Sequence, residues 1–200
     1  ADSIGAMLAS EDLDHGIQGV VIRSLKTGRT LCELNSDLAL IPASNMKLLV
    51  SATALDRLGP DFTYQTSVLR DGSLAANGQL AGSLILRGAG DPTMRTEDLA
   101  ALARGVHEAG IREVTGELVV DESLFDHQRL GWGWSWDYEP YYYAAQISAL
   151  NLNRNTVDVY VGPGAQAGAE AVVRLDPPAP HVTVRSAATT GESGSTKSVW

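Results

Sequence analysis

The chain has 200 residues, 44% of them apolar, and a formal net charge of -9. That length suffices for one large or two small domains burying roughly 70% of the unfolded surface, and the apolar share excludes a disordered chain. The acidic balance, without a basic stripe interleaved with aromatics, argues against nucleic acid as a partner, and no apolar run reaches the roughly 20 residues of a membrane span.

The opening ADSIGAML lacks the basic and long apolar regions of a signal peptide, so none is expected here; a start at Ala-Asp would suit a chain already processed after a small residue. Ile4, Met7 and Leu8 recur at helical spacing and predict a first helix over 3–13. GVVIRSLKTGRTLCEL (19–34) predicts a β-hairpin turning at Lys26-Thr27-Gly28. After Pro42 and Ala43, the apolar positions Met46, Leu49, Val50, Thr53, Ala54 and Leu58 predict a buried helix stopped by Gly59-Pro60.

Two strands follow, FTYQTSVLR (62–70) and GQLAGSLILRG (78–88), joined by DGSLAANG. TEDLAALARGVHEAG (96–110) predicts a helix opened by Thr96 and closed by Gly110. EVTGELVVDES (113–123) returns to strand character, and then the composition changes: three of the four tryptophans and four of the six tyrosines fall between 132 and 143. From Thr156 onward β-strands with Gly/Pro turns are expected, then a flexible, loop-like end.

Chemistry concentrates at Ser44 and Lys47. Residues three apart share a helix face, so hydroxyl and amine can meet at hydrogen-bond distance. A serine is a poor nucleophile until a base takes its proton, and a lysine serves once desolvation or nearby positive charge favours its neutral form. The amino-terminal turn of the helix favours negative charge, and the Ser44 N–H is a candidate half of an oxyanion hole. By composition alone Ser-x-x-Lys is common, and a serine at a helix start can equally be a cap.

Other groups invite less. Cys32 has no intrachain partner, and the histidines at 15, 107, 127 and 181 lack zinc-ligand spacing. GAGDPT (88–93) lacks the Gly-Lys-Ser/Thr end of a phosphate loop and predicts a turn. The amides of SALNLNRN (148–155) could bind peptide or tie down a connection; the latter is the expectation.

LIPASNMKLLVSATAL (40–55) resembles the nucleophile segment of the class C low-molecular-mass penicillin-binding proteins, the D-alanyl-D-alanine carboxypeptidase/endopeptidase family. VVIRSLKTGRTLCELN, LRGAGDPTM and YYYAAQISALNLNRN fit the same family in order. The resemblance implies that Ser44 is the acyl-accepting nucleophile and Lys47 its general base. It also implies that Trp134, Asp137 and Tyr143 line the substrate cleft; in some members a carboxylate there receives the ammonium of a diaminopimelyl side chain, and Asp137 is the best match. Within WSWDYEP the match slips by one residue, so Trp136 and Tyr138 compete for those places, and Asp137 can also be read as a solvated loop aspartate.

The implied fold is α+β: part of a transpeptidase-like domain, an antiparallel sheet with helices, plus an inserted β-rich domain. Residues 1–68 would belong to the catalytic domain and 69–200 to an incomplete insertion, with about 130–155 returning to the cleft. The family's downstream Ser-x-Asn is absent, and the only Lys-Thr-Gly, at 26–28, precedes Ser44 at a hairpin tip and reads as turn chemistry. The chain is therefore expected to be the amino-terminal part of a longer polypeptide and incomplete as an enzyme.

The expected activity is a serine D-Ala-D-Ala carboxypeptidase, with endopeptidase action on the same peptides open. Stem peptides of peptidoglycan ending in D-Ala-D-Ala are its substrates and β-lactams its inhibitors. It needs no metal or organic cofactor and works outside the cytoplasm. The alternatives are a β-lactamase or esterase using the same pair, against which GDPT and SALNLN argue, and a non-catalytic penicillin- or wall-binding module.

Overall fold

A computed structural model describes residues 2–8 and 16–197, which fall into two compact units, one ending at Phe62 and the other beginning at Thr63. In the first, helix α1 spans Asp2–Leu8; the rest of the helix expected over 3–13, residues 9–13, lies outside the described residues. Strands β1 (Val20–Arg23) and β2 (Thr30–Leu34) pair antiparallel, with a register shift between Ile22 and Arg23. Their turn is closed by the Ser24 N–H on the Arg29 carbonyl (2.9 Å) and the Gly28 N–H on the Ser24 carbonyl (2.8 Å). Gly28 sits at φ +70°, the left-handed region in which glycine costs least, so Lys26-Thr27-Gly28 is turn chemistry.

Helix α2 (Met46–Leu58) stands where the apolar spacing places it and stops at Gly59, whose φ of +80° ends the helical winding. One expectation fails. The helix is not buried: Leu49 is 63% and Val50 64% exposed, and none of its residues is buried. The apolar face exists, but among the described residues of this unit nothing packs to cover it.

In the second unit β3 (Ser67–Leu74) and β4 (Gln79–Arg87) form the expected hairpin, but its first strand starts and ends later than the 62–70 expected. Asp71-Gly72-Ser73-Leu74 continues the strand, because Gly72 faces Gly82 across the register and two backbones can approach there. A Cβ at Gly82 would stand 1.6 Å from the Asp71 carbonyl oxygen, and one at Gly72 2.1 Å from that of Ala81.

Helix α3 (Thr96–Glu108) then crosses to β5 (Glu113–Val114) and β6 (Leu118–Asp121). Both pair parallel with β4, so the strand expected over 113–123 is split in two and the sheet is mixed. Arg95 rather than Thr96 is the cap residue of α3, its N–H held by the Asp98 carboxylate at 2.8 Å. Gly110, at φ +88°, follows the helix end. Leu80 is fully buried, with Leu86, Met94, Ile111 and Ala149 nearly so; each fully buried leucine stabilises the sheet by roughly 2 kcal/mol. A groove of about 690 Å³ stays open between α3 and the sheet, lined by Leu69, Leu84, Leu102 and Val106.

Strands β7 (Asp158–Gly162) and β8 (Val172–Asp176) pair antiparallel, and the Arg174 guanidinium lies 4.2 Å from the Tyr160 ring centre. Beyond β8 the described chain carries one isolated bridge, Glu170 to Thr189. No helix among the described residues is long and apolar enough to cross a membrane.

Candidate active site

Ser44 lies in a 3-10 turn, Ala43–Asn45, that runs directly into α2. Lys47 is the second residue of α2, so the pair spans the junction between the 3-10 turn and the helix, where side chains three apart face the same side. The Lys47 Nζ accordingly donates to the Ser44 Oγ at 2.9 Å. No side chain caps either helix start, so the Ser44 hydroxyl is engaged with an amine rather than with backbone N–H groups. That disposes of the capping reading. Ala43 immediately before it adopts φ +42°, a conformation non-glycine residues avoid, and backbone strain of this kind collects at functional sites. The arrangement can pass a proton from hydroxyl to amine when the amine is neutral.

Trp134, Asp137 and Tyr143 lie in the second unit, in an excursion of the chain between β6 and Ala149. The Trp134 indole rests on Gly131, where an added Cβ would stand 2.5 Å from its Nε1. A 3-10 turn, Trp136–Tyr138, carries Asp137, whose Oδ2 accepts from the Ser135 hydroxyl at 3.4 Å. Tyr143 is the centre of a tyrosine cluster. Its ring stacks on Tyr141 (5.2 Å, 5°) and meets Tyr138 (6.1 Å) and Tyr142 (5.5 Å) edge-on. Lost solvent, and then the neighbouring Tyr141, Tyr138 and Tyr142, raise its hydroxyl pKa above the ordinary 10, so it is a neutral hydrogen-bonding group at pH 7. The excursion brings Asp137, Tyr138 and Tyr143 into one stretch; Trp136 and Tyr138 remain neighbours of the residues they compete with.

The base of this excursion is tied by residues that no spacing in the sequence marks. The Arg129 guanidinium grips both carboxylate oxygens of Glu122, one at 2.8 Å, and the Ser148 hydroxyl donates to Glu122 Oε2 at 2.6 Å. The Ile147 N–H donates to the Arg129 carbonyl at 2.8 Å. Arg129 and Ser148 hold the Glu122 carboxyl at a pKa of about 2, against 4.5 ordinarily, and Glu122 in turn raises that of Arg129. Ser148 is buried, and a recess of about 490 Å³ beside it is lined by Glu139, Gln146 and Asn155.

GAGDPT is a turn, as expected. Asp91 Oδ1 accepts from the N–H (2.8 Å) and hydroxyl (2.7 Å) of Thr93, and Gly90 N–H donates to Ala149 O at 2.7 Å. The amides of 148–155 are largely spent on structure: Asn153 bonds Thr96, and Asn155 bonds Gln146 O, Asn151 and the Leu152 N–H. Among the described residues no group of three or more His, Cys, Asp or Glu could hold a metal.

The pattern of the D-Ala-D-Ala carboxypeptidase 3 (S13) family matches residues 1–199. The chain belongs to that family. This S13 chain is 36% identical, over 97% of its length, to a D-alanyl-D-alanine carboxypeptidase of an Actinomadura species. It is 27% identical, over 80%, to the D-alanyl-D-alanine carboxypeptidase DacB of Haemophilus influenzae. It spans 37% and 33% of those two relatives. The crystal structure of penicillin binding protein 4 (dacB) from Haemophilus influenzae matches 78% of the S13 chain with a TM-score of 0.71 at 26% identity, covering 34% of the solved chain. The same protein complexed with a novel β-lactam matches with a TM-score of 0.58 at 22% identity and shares the fold.

Proposed function

We propose that the polypeptide carrying this chain is a serine D-Ala-D-Ala carboxypeptidase that acts on peptidoglycan stem peptides outside the cytoplasm. The observation that carries the reading is the 2.9 Å contact between Lys47 Nζ and Ser44 Oγ, inside a chain of the S13 family. In the proposed reaction Lys47, as a neutral amine, takes the Ser44 proton while Oγ attacks the carbonyl between the two D-alanines. The tetrahedral oxyanion is held by backbone N–H groups, that of Ser44 among them, and its collapse expels D-alanine, the departing amine receiving a proton. Water then cleaves the ester and restores the serine.

On this reading β-lactams open on the same oxygen and leave it slowly. Trp134, Asp137 and Tyr143 receive the stem peptide's side chain, the Asp137 carboxylate meeting its ammonium. Residues 1–68 belong to the transpeptidase domain and 69–200 to a β-rich insertion whose stretch 130–155 serves the cleft.

The test is the intact mass of the full-length protein with and without benzylpenicillin, beside Ser44→Ala. One penicilloyl adduct, lost in the variant, is expected together with release of D-alanine from a D-Ala-D-Ala peptide. Rapid return of the unmodified mass would make it a β-lactamase instead. Absence of any adduct or D-alanine release would sink the enzymatic reading.

A further inference from the structure

The aromatic excursion leaves the sheet at Glu122 and rejoins buried chain at Ser148, and those two side chains are bonded to each other at 2.6 Å. Arg129 locks the closure from inside: it forks onto Glu122, and its backbone carbonyl takes the Ile147 N–H at 2.8 Å, while its Nη1 reaches Ile147 O at 3.3 Å. Ser148 Oγ in addition accepts the Leu150 N–H at 3.1 Å. These bonds join the two ends of a stretch of about 25 residues whose regular structure is short 3-10 turns with a cluster of rings, and which is further touched by Asn155 Nδ2 on Gln146 O at 3.0 Å and by Phe125 against Gly90.

From this geometry we infer that Glu122, Arg129 and Ser148 are positioning residues that hold the aromatic excursion in one conformation and so set how tightly a stem peptide with a cationic side chain binds. The inference rests on the assignment of Asp137 to that side chain. A forked guanidinium–carboxylate pair fixes direction as well as distance, which a single-point contact does not. A carboxylate on an exposed 3-10 turn has no rigidity of its own, and displacing a binding group by about 1 Å can cost as much as a hundredfold. Holding the base of the loop supplies that rigidity without touching the substrate.

The experiment compares the full-length protein with its Arg129→Met and Arg129→Lys variants on two peptides ending in D-Ala-D-Ala. One bears a free side-chain ammonium and in the other that amine is acetylated. Amide deuterium uptake over 131–146 and over β3–β4 is followed in parallel. For Arg129→Met the expected result is a KM about tenfold higher for the free-amine peptide, with kcat and the acetylated peptide changed less than about twofold. Uptake should quicken in 131–146 and not in β3–β4, the penicilloyl adduct on Ser44 should persist, and Arg129→Lys should fall between.

Unchanged deuterium uptake in 131–146 overturns the inference, as does a loss shared equally by both peptides. Should the parent protein not distinguish the peptides, the assignment of Asp137 fails, while deuterium uptake still judges the clamp. Ser148→Ala carries the same comparison if Arg129→Met does not fold.

Discussion

The distance between Lys47 and Ser44 makes the lysine's ability to lose its proton the property on which the proposed chemistry depends. Arginine keeps the positive charge but has no accessible neutral form. Lys47→Arg should therefore lower the rate of Ser44 acylation by benzylpenicillin about 10²- to 10⁴-fold, measured by time-resolved intact mass; a loss below tenfold would remove Lys47 as the base. Two carboxylates in the second unit make a separate prediction. Asp121, bonded by Ser123 and then Arg87, titrates near 2 instead of 3.8, and Glu122 near 2 instead of 4.5. Both are depressed on folding, so their stabilisation is full above the unfolded values and is lost as pH falls through the folded ones. Melting temperature should decline from about pH 4.5 towards 2. Glu122→Gln should flatten part of that slope, and an equally steep slope in the variant would refute its share.

At the scale of elements, the hairpin β1–β2, helix α2 and helix α3 were legible because each has a period or a punctuating glycine that belongs to that element alone. The extent of β3 was not. Asp71-Gly72 reads as a turn in one dimension, and only the register that opposes Gly72 to Gly82 makes it strand. Gly82→Ala should cost at least about 3 kcal/mol, since its Cβ cannot fit against Asp71 O. Gly28→Ala, at φ +70° with open space around it, should cost about 1 kcal/mol. Chemical denaturation of the two variants checks the contrast, and equal losses would mean that the hairpin relaxes. At the candidate site the pattern in sequence is similar: Ser44 and Lys47 announce themselves by a spacing of three, whereas Glu122, Arg129 and Ser148 are separated by seven and nineteen residues and meet only in the fold.

For the whole molecule, apolar periodicity placed α2 in the chain but did not say whether anything covers it, because covering depends on chain far away in sequence. Leu48, Leu49 and Val50 are exposed in the first unit, and the groove under α3 is open in the second. Exposed apolar surface of this kind marks faces that another segment or partner can cover. A polypeptide of these 200 residues alone should bind an environment-sensitive hydrophobic dye strongly, and the full-length protein weakly; equal binding would show that the faces are free in both. The excursion closed at its base has a different consequence. Because its two ends are pinned to one another, what lies between them can change in length and composition without disturbing the sheet beneath. On the proposed role of Asp137, exchanging residues 130–146 between relatives, with Glu122, Arg129 and Ser148 kept, should move a preference for peptide side chains while acylation at Ser44 stays as it is.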